Sequence, residues 1–422
     1  MIFNRRYQRI LRIALPAQVG ALTYNGQAQS PVWQDFDRNK MTIGGTTSSV
    51  NAGTFTATFT PKSGYCWEDG SRDAKNVIWS IGKAAGSLNL SAASAAINIS
   101  ALTKTITVTR AGDGAITATS SNTSVAAVSV SGTTVTITGK NNGSATITVN
   151  VAASTNYTAT SKNVSVTADL PSRTLANCTP AQIQATAKAG QAPNWWNVGD
   201  KMPIKLSGIV GALTLNDTYY AFIIGFNHNS SIEGGNSIHF QFCTADGADT
   251  AFADVGCGKS YSNNSNARFV MNTASTNTGG WKDSYMRNTI CAQFFNVLPA
   301  EWRSVIASRT KYSDNTGGGN NTASYVTSTL DKIWLLSEFE VYGTRTYANS
   351  AEKNYQKQYD YYKSNYKRKK WLDGKYWMVG HWSLRSVYVG SINSFCSGYT
   401  DDNSGYVSGD RSCIFAPCFM VA

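Results

Sequence analysis

Histidine is scarce in this chain: of 422 residues only His228, His239 and His381 are histidines, and no two of them stand four apart. A His-Glu-x-x-His zinc site is thereby excluded. No Gly-x-x-x-x-Gly-Lys-Ser/Thr loop and no Gly-x-Ser-x-Gly elbow occurs, so neither that phosphate cradle nor that serine nucleophile is encoded. None of the eight cysteines (Cys66, Cys178, Cys243, Cys257, Cys291, Cys396, Cys413 and Cys418) forms a Cys-x-x-Cys pair, which argues against a zinc ribbon and for buried thiols. No run approaches the roughly 18 to 20 apolar residues that a membrane span requires. The N-terminus, broken by Arg12 and ended by Pro16, is too short in apolar residues for a signal-peptide core, so the expectation is a protein made in the cytoplasm. Charged residues are 15% of the total, below the usual quarter, which fits β surfaces rich in Ser, Thr and Asn.

What charge there is sits unevenly. Arg5, Arg6, Arg9 and Arg12 have no acid among the first thirteen residues, and eight bases face three acids between Glu352 and Lys375, so these two segments hold nine of the twelve net positive charges. A polyanion is one partner for such segments; a solvated helix face and a basic terminal arm are the simpler account, and no nucleic-acid partner is expected.

The order of the chain is modular. After an arm (residues 1–16), residues 17–83 carry turn signals at Tyr24-Asn-Gly26 and Asn51-Ala-Gly53 and an alternating run, Thr54 to Thr60, that puts Phe55, Ala57 and Phe59 on one face. With Val77-Ile-Trp-Ser-Ile81, this stretch resembles a bacterial Ig-like repeat. In residues 84–168 the pairs Ile106/Val108, Ile116/Ala118, Val128/Val130 and Val135/Ile137, and the trio Ile147/Val149/Val151, alternate between Gly and Asn turns, which predicts a β-sandwich. Thr-Ser-Ser-Asn-Thr-Ser-Val-Ala-Ala-Val and Gly-Ser-Ala-Thr-Ile-Thr-Val there resemble a group 2 bacterial Ig-like domain. A linker, Asp169-Leu-Pro-Ser-Arg173, follows.

Residues 174–422 bring in helices and aromatics. Met286, Ile290 and Phe294 step by four and predict an amphipathic helix ending near Pro299; Tyr355, Tyr359, Tyr362 and Tyr366 predict a second helix with one aromatic face. Trp195-Trp-Asn-Val-Gly-Asp200, Gly225-Phe-Asn-His-Asn229, Gly279-Gly-Trp-Lys-Asp-Ser-Tyr-Met-Arg287, Asp331-Lys-Ile-Trp-Leu-Leu-Ser-Glu338 and Trp382-Ser-Leu-Arg-Ser386 resemble a domain of unknown function of clostridial and phage adhesin-like proteins. The family's Trp-Trp-Leu-Arg-Ser-Pro reads here with Ser383 and Val387 at two positions. The ending is also similar to the C-type-lectin-like fold of receptor-binding proteins. The expected fold class is therefore mainly β: two Ig-like β-sandwiches followed by an α+β C-type-lectin-like domain.

The resemblance implies that Trp382 and Arg385 frame a sheet, that residues 415–421 close it, and that residues 388–412 are exposed loops. In that tract Tyr388, Asn393, Phe395, Tyr399, Asp401, Asp402, Asn403 and Tyr406 are separated by Gly and Ser, a composition suited to ligand binding. Such a tract also arises when asparagine codons are diversified by a retroelement; an ordinary loop set over a lectin-like sheet is the plain alternative. Adjacent Asp401 and Asp402 point to opposite faces of an extended segment and make a poor catalytic pair. His228, Glu233 and His239 could converge on a metal, but satisfied structural polar groups are the simpler reading, and no metal, cofactor or catalytic residue is assigned. Cys413 and Cys418 read as buried thiols or one disulfide. Taken together, the sequence predicts a non-enzymatic phage structural protein, a tail or head fibre on the virion surface. It would dock to other virion proteins through its arm, bind a host cell-surface glycan or protein, and assemble as a homo-oligomer, a trimer. A tail-associated glycan depolymerase and a bacterial surface adhesin are the alternatives.

Overall fold

The computed structural model describes residues 9–244, 249–253, 269–372, 375–379, 381–398, 405–410 and 414–422. They fall in two compact units, Met1–Leu170 and Pro171–Ala422. The architecture is mainly β, with two Ig-like sandwich modules in the first unit and an α+β second unit.

In the first module, strands Leu22–Thr23, Lys75–Gly82, Gly53–Pro61 and Met41–Gly45 form one sheet in that order. The period-two pattern turns Ala57 and Phe59 inward against Met41, Trp67, Trp79 and Ile81, with Phe55 packed at the edge of the same cluster. The N-terminal arm is shorter than its basic composition predicts. Leu11–Ile13 pairs in parallel with Tyr65–Trp67, and Ile13 joins the core, so residues 9–16 belong to the module. An apolar residue at every second position lets this segment pair as one strand of a two-stranded sheet; residues 1–8 lie outside the described residues.

The second module is two four-stranded sheets. One runs Ser94–Asn98, Thr160–Asp169, Gly143–Val151, Ile116–Ser120; the other runs Ala126–Ser131, Thr134–Gly139, Thr103–Ala111, Ser87–Leu90. Each strand predicted from alternation forms, and Ile106, Val135, Ile137, Ile147, Val149 and Val164 meet in a fully buried apolar core. Ser and Thr take the outward positions, where their hydroxyls meet water.

The second unit is built on an antiparallel sheet of Lys201–Val210, Leu213–Phe226, Ile238–Cys243 and Cys418–Val421. The apolar closing strand expected near the C-terminus is thus a sheet member, every residue of it buried. Helices Pro180–Lys188, Cys291–Val297 and Ala300–Val305 accompany this sheet, and Met286, Ile290 and Phe294 are buried as their spacing predicts, although Met286–Ile290 is a π turn leading into the α-helix. A hairpin of Arg309–Asp314 and Val326–Asp331 and a three-stranded sheet of Trp382–Val387, Ser394–Gly398 and Gly405–Ser408 complete the part that matters for function. Trp382 pairs with Gly398, where any Cβ would stand 2.1 Å from the indole. The described cysteines Cys66, Cys178, Cys243, Cys291, Cys396 and Cys418 are all buried.

The second helix predicted from the tyrosine spacing does not form. The segment is three short 3-10 turns, Ser350–Asn354, Asp360–Lys363 and Asn365–Arg368. Bonds to a neighbouring element replace a continuous helical ladder: the Tyr359 N–H donates to the Glu340 carbonyl at 3.0 Å, and the Gln358 side chain donates through Nε2 to the Val341 carbonyl as well as to that of Tyr362. Tyr359, Tyr361 and Tyr362 are buried while Tyr366 is 66% exposed, so no single aromatic stripe exists.

Candidate binding surface and the charged frame beneath it

Strand Trp382–Val387 is buried at every residue, including an arginine. Such a guanidinium is tolerable only if each of its donors is used. Arg385 Nη1 donates to a carboxylate oxygen of Glu340 and to the Leu335 carbonyl, Nη2 donates to Glu340 Oε1 at 2.9 Å, and Nε donates to Ser313 Oγ at 2.9 Å. Glu340 has a second local duty. It is the third residue of helix Glu338–Tyr342 and accepts the Ser337 N–H, while Ser337 caps the helix in return. Burial works to raise its carboxyl, but Arg385 and Lys311 prevail and hold it near 2.

Lys311 extends this pair into a network. Its ammonium lies 2.7 Å from Glu233 Oε2, 3.5 Å from Glu340 Oε1 and 3.2 Å from the Tyr359 hydroxyl, over the Trp334 ring at 4.3 Å. His239 shares hydrogen bonds with the Tyr359 hydroxyl at 2.9 Å and Ser237 Oγ at 3.2 Å, and His228 stacks on Tyr359 at 3.5 Å. Burial depresses both imidazoles, His228 to about 3. Two carboxylates and two cations stand together, which is what charges buried this deeply require. His228, Glu233 and Glu340 offer ligand atoms within 4.8 Å of one another, a donor set that suits a metal ion. The Lys311 ammonium already stands between the two carboxylates, so the place of a cation is filled by the chain itself. Thus His228, Glu233 and His239 do converge, around a lysine.

A second tier of buried acids ties this frame to the loops above it. Glu352 accepts from Ser386 Oγ at 2.7 Å, from the Asp314 N–H at 2.9 Å and from Gln356 Nε2 at 3.0 Å, and burial pushes its carboxyl up to about 7. Asp314 accepts the N–H groups of Thr316 and Gly317 and the Asn349 amide. Glu338 accepts three consecutive N–H groups, those of Thr346, Tyr347 and Ala348, and so fixes the backbone at Tyr347.

Three loops meet on this support. Tyr347 and Tyr388 place their rings 4.8 Å apart, and the Val389 N–H donates to the Tyr347 carbonyl at 2.8 Å. The Gly390 N–H donates to the Gly319 carbonyl at 3.0 Å. Beneath both, the buried Asn277 amide donates to the carbonyls of Ser391 and Ser394 while its oxygen accepts the Gly318 N–H. Gly317 has φ +71° with its Cβ position 2.0 Å from the Asn277 carbonyl, so no other residue fits. The rim of this surface is Gly318, Asn320, Asn321 and Thr322, all exposed, and Ile392, 71% exposed.

Of the residues expected to bind a ligand, Tyr388 and Asn393 are here, half-buried, with Asn393 Oδ1 accepting from Ser391 Oγ at 2.7 Å. Phe395 is not: it is fully buried in strand Ser394–Gly398, every residue of which is buried on both faces of the sheet, inside a tract whose Gly and Ser content resembles a loop. The tract from 388 to 412 is therefore partly strand. Tyr406 lies on strand Gly405–Ser408 opposite Cys396. Tyr399, Asp401, Asp402 and Asn403 fall outside the described residues. Trp382 and Arg385 are both fully buried, Trp382 donating to the Arg368 carbonyl at 3.1 Å. The basic stretch also departs from a solvated face at one point: Lys370 is buried, bonded to Asp249 at 3.1 Å, with the Phe222 and Tyr362 ring centroids 5.0 and 5.3 Å away. Sequence reading missed Tyr347 and Asn277. The run Gly317-Gly-Gly319-Asn-Asn321 has the composition of a turn, but no local signal marks its meeting with Gly390.

The fold and this surface define a modular protein with sandwich modules and a framed C-terminal domain. Residues 261–422 match a family model described as Domain of unknown function (DUF6273). Curated proteins give no match. Among solved structures, domains 4 and 5 of the S-layer protein SbsC are similar at 16% identity and a TM-score of 0.19, over 36% of this chain and 96% of that one. Drosophila N-cadherin EC1-3 is similar at 10% identity and 0.19, over 38% and 64%. The titin I-band fragment I67-I69 is similar at 11% identity and 0.19, over 38% and 68%.

Proposed function

We propose that the chain is a non-enzymatic attachment protein in which the Ig-like modules are spacers and the Tyr347–Tyr388 surface of the C-terminal unit binds a cell-surface ligand. One observation carries this reading. The two tyrosines and the loops around them are held by buried acids and Asn277 through backbone N–H and carbonyl groups, so their side chains meet a ligand with little ordering left to do. Tyrosine adds contact area with few rotors, and the exposed Asn and Thr of the rim add adaptable hydrogen bonds. The lectin-like character expected from the sequence suits a surface glycan as that ligand, and a phage particle remains the proposed carrier, with several copies raising avidity.

The test is attachment of the full chain to host cells. Tyr347→Ala with Tyr388→Ala should abolish attachment while the thermal unfolding of the protein shifts little. Undiminished attachment by the folded double variant would overturn the reading, as would release of reducing ends from host polysaccharide, which would indicate a depolymerase. Detection of the protein in purified virions decides the carrier.

A further inference from the structure

The surface just described continues into a second feature that its tyrosines do not explain. Between Gly343 and Lys370 the chain has eight bases and two acids; Lys370 and Glu352 are buried, which leaves seven bases and one acid, Asp360, exposed or half-exposed. The arrangement follows from the tyrosines. With Tyr359, Tyr361 and Tyr362 turned into the core, the lysines of the same 3-10 turns have only the outward direction left. Lys353, Lys357 and Lys363 are exposed, Lys363 paired with Asp360 at 2.6 Å, and Lys367 lies 4.8 and 4.9 Å from the ring centroids of Tyr361 and the exposed Tyr366.

This strip is joined to the tyrosine surface at both ends of one short segment. The Ser350 N–H, at the start of the strip, donates to Asn321 Oδ1 of the Gly/Asn loop at 2.8 Å. Gln358, between Lys357 and Lys363, packs against Gly343, which opens the turn leading through Arg345 to Tyr347. A ligand lying on the tyrosines and extending along the chain would therefore meet positive charge.

We infer that the ligand is an acidic glycan, with sugar rings on the Tyr347–Tyr388 surface and uronate or phosphate groups along the Lys353–Lys367 strip; this rests on the attachment reading above. A glycan suits the site better than nucleic acid because the cations adjoin a neutral surface of Asn, Thr, Gly and Tyr that matches hydroxyl groups.

The experiment uses the full chain against polygalacturonate, poly(glycerol phosphate), neutral dextran and a single-stranded oligonucleotide. Polygalacturonate carries the uronate arm and poly(glycerol phosphate) the phosphate arm. Lys357→Ala, Lys363→Ala and Lys367→Ala together should weaken binding of at least one acidic polymer about tenfold or more at 0.1 M salt and flatten its log–log salt dependence by about one unit for each lysine removed. A control with the same loss of charge, Lys62→Ala, Lys104→Ala and Lys162→Ala on the sandwich modules, should leave binding within about twofold. Equal loss in the control would reduce the effect to net charge and overturn the inference. So would failure of both acidic polymers to bind, or tighter binding of the oligonucleotide, which would make the partner a nucleic acid. If the Tyr347/Tyr388 variant loses host attachment while the strip variant keeps it, the attachment reading stands and the acidic glycan falls.

Discussion

The second Ig-like module and the C-terminal unit solve the problem of a stable interior in opposite ways. In the sandwich, Ile106, Val135, Ile137, Ile147, Val149 and Val164 fill the core, and polar groups there are backbone amides paired in the ladders. In the C-terminal unit the deepest residues include Glu233, Lys311, Glu340, Glu352 and Arg385, all 5% exposed or less. An apolar core loses stability in proportion to what is removed. A buried charge network stays whole only while every partner is present, since one deletion strands an ion in a medium that cannot solvate it. The difference shows where this protein can be altered gradually and where it cannot.

The sharpest way to break the comparison is Arg385→Ala. Glu340 would keep the Ser337 N–H and, as its cation, Lys311 at 3.5 Å, and the loss should be about 3 to 5 kcal/mol, enough to unfold the C-terminal unit. Calorimetry of the full chain should then show the sandwich transition unchanged and the other lowered or gone; a shift of the second transition by no more than a few degrees would contradict the role given to Arg385.

Next in size is pH. Glu352 has a folded pKa of about 7 against 4.5, so its cost is absent below about 4.5, grows through neutrality and is complete above 7, of order 3 kcal/mol at most. Glu340, held near 2, acts with the opposite sign: its contribution is present above 4.5 and lost as pH falls through 2. His228 and His239, both depressed by burial, act in the same sense as Glu340, their contribution being present above 6.5 and lost as pH falls, so the C-terminal unit should be most stable near neutral pH, and Glu352→Gln should flatten the alkaline limb. Unfolding midpoints measured from about pH 4 to 9 check this, and identical limbs in the variant would refute it. The smallest effect belongs to the sandwich: Ile147→Val removes one buried methylene and should lower that module's stability by about 1 kcal/mol with no pH dependence. A titrating loss there would erase the contrast.

The same contrast explains what the sequence made legible. Strands such as Gly143–Val151 announce themselves because each buried residue is two positions from the next and the turns lie close by. The charged frame joins residues far apart, Glu233 with Lys311 and Glu340 with Arg385, and no local period marks such pairs. Trp382 and Arg385 could be singled out only because a family resemblance covers them. Tyr355 to Tyr366 had a helical spacing, yet Gln358 and Tyr359 bond to other elements, so tertiary contacts set the backbone there. Phe395 was hidden by the reverse error, a core residue inside a stretch composed like a loop. Tyr347 stands alone among polar neighbours, and nothing short of the fold brings it to Tyr388.

One feature of the second sandwich has a mechanical side. Its strands Ser94–Asn98 and Thr160–Asp169, near the two ends of the module, run parallel and are in register over five residue pairs. Tension applied at the two ends of such a module pulls these strands in opposite directions along their length. The hydrogen bonds between them are then sheared together instead of being peeled open one after another. A spacer stretched between two anchored bodies would hold its length until that set failed at once, which single-molecule stretching would record as a discrete rupture and not as gradual lengthening.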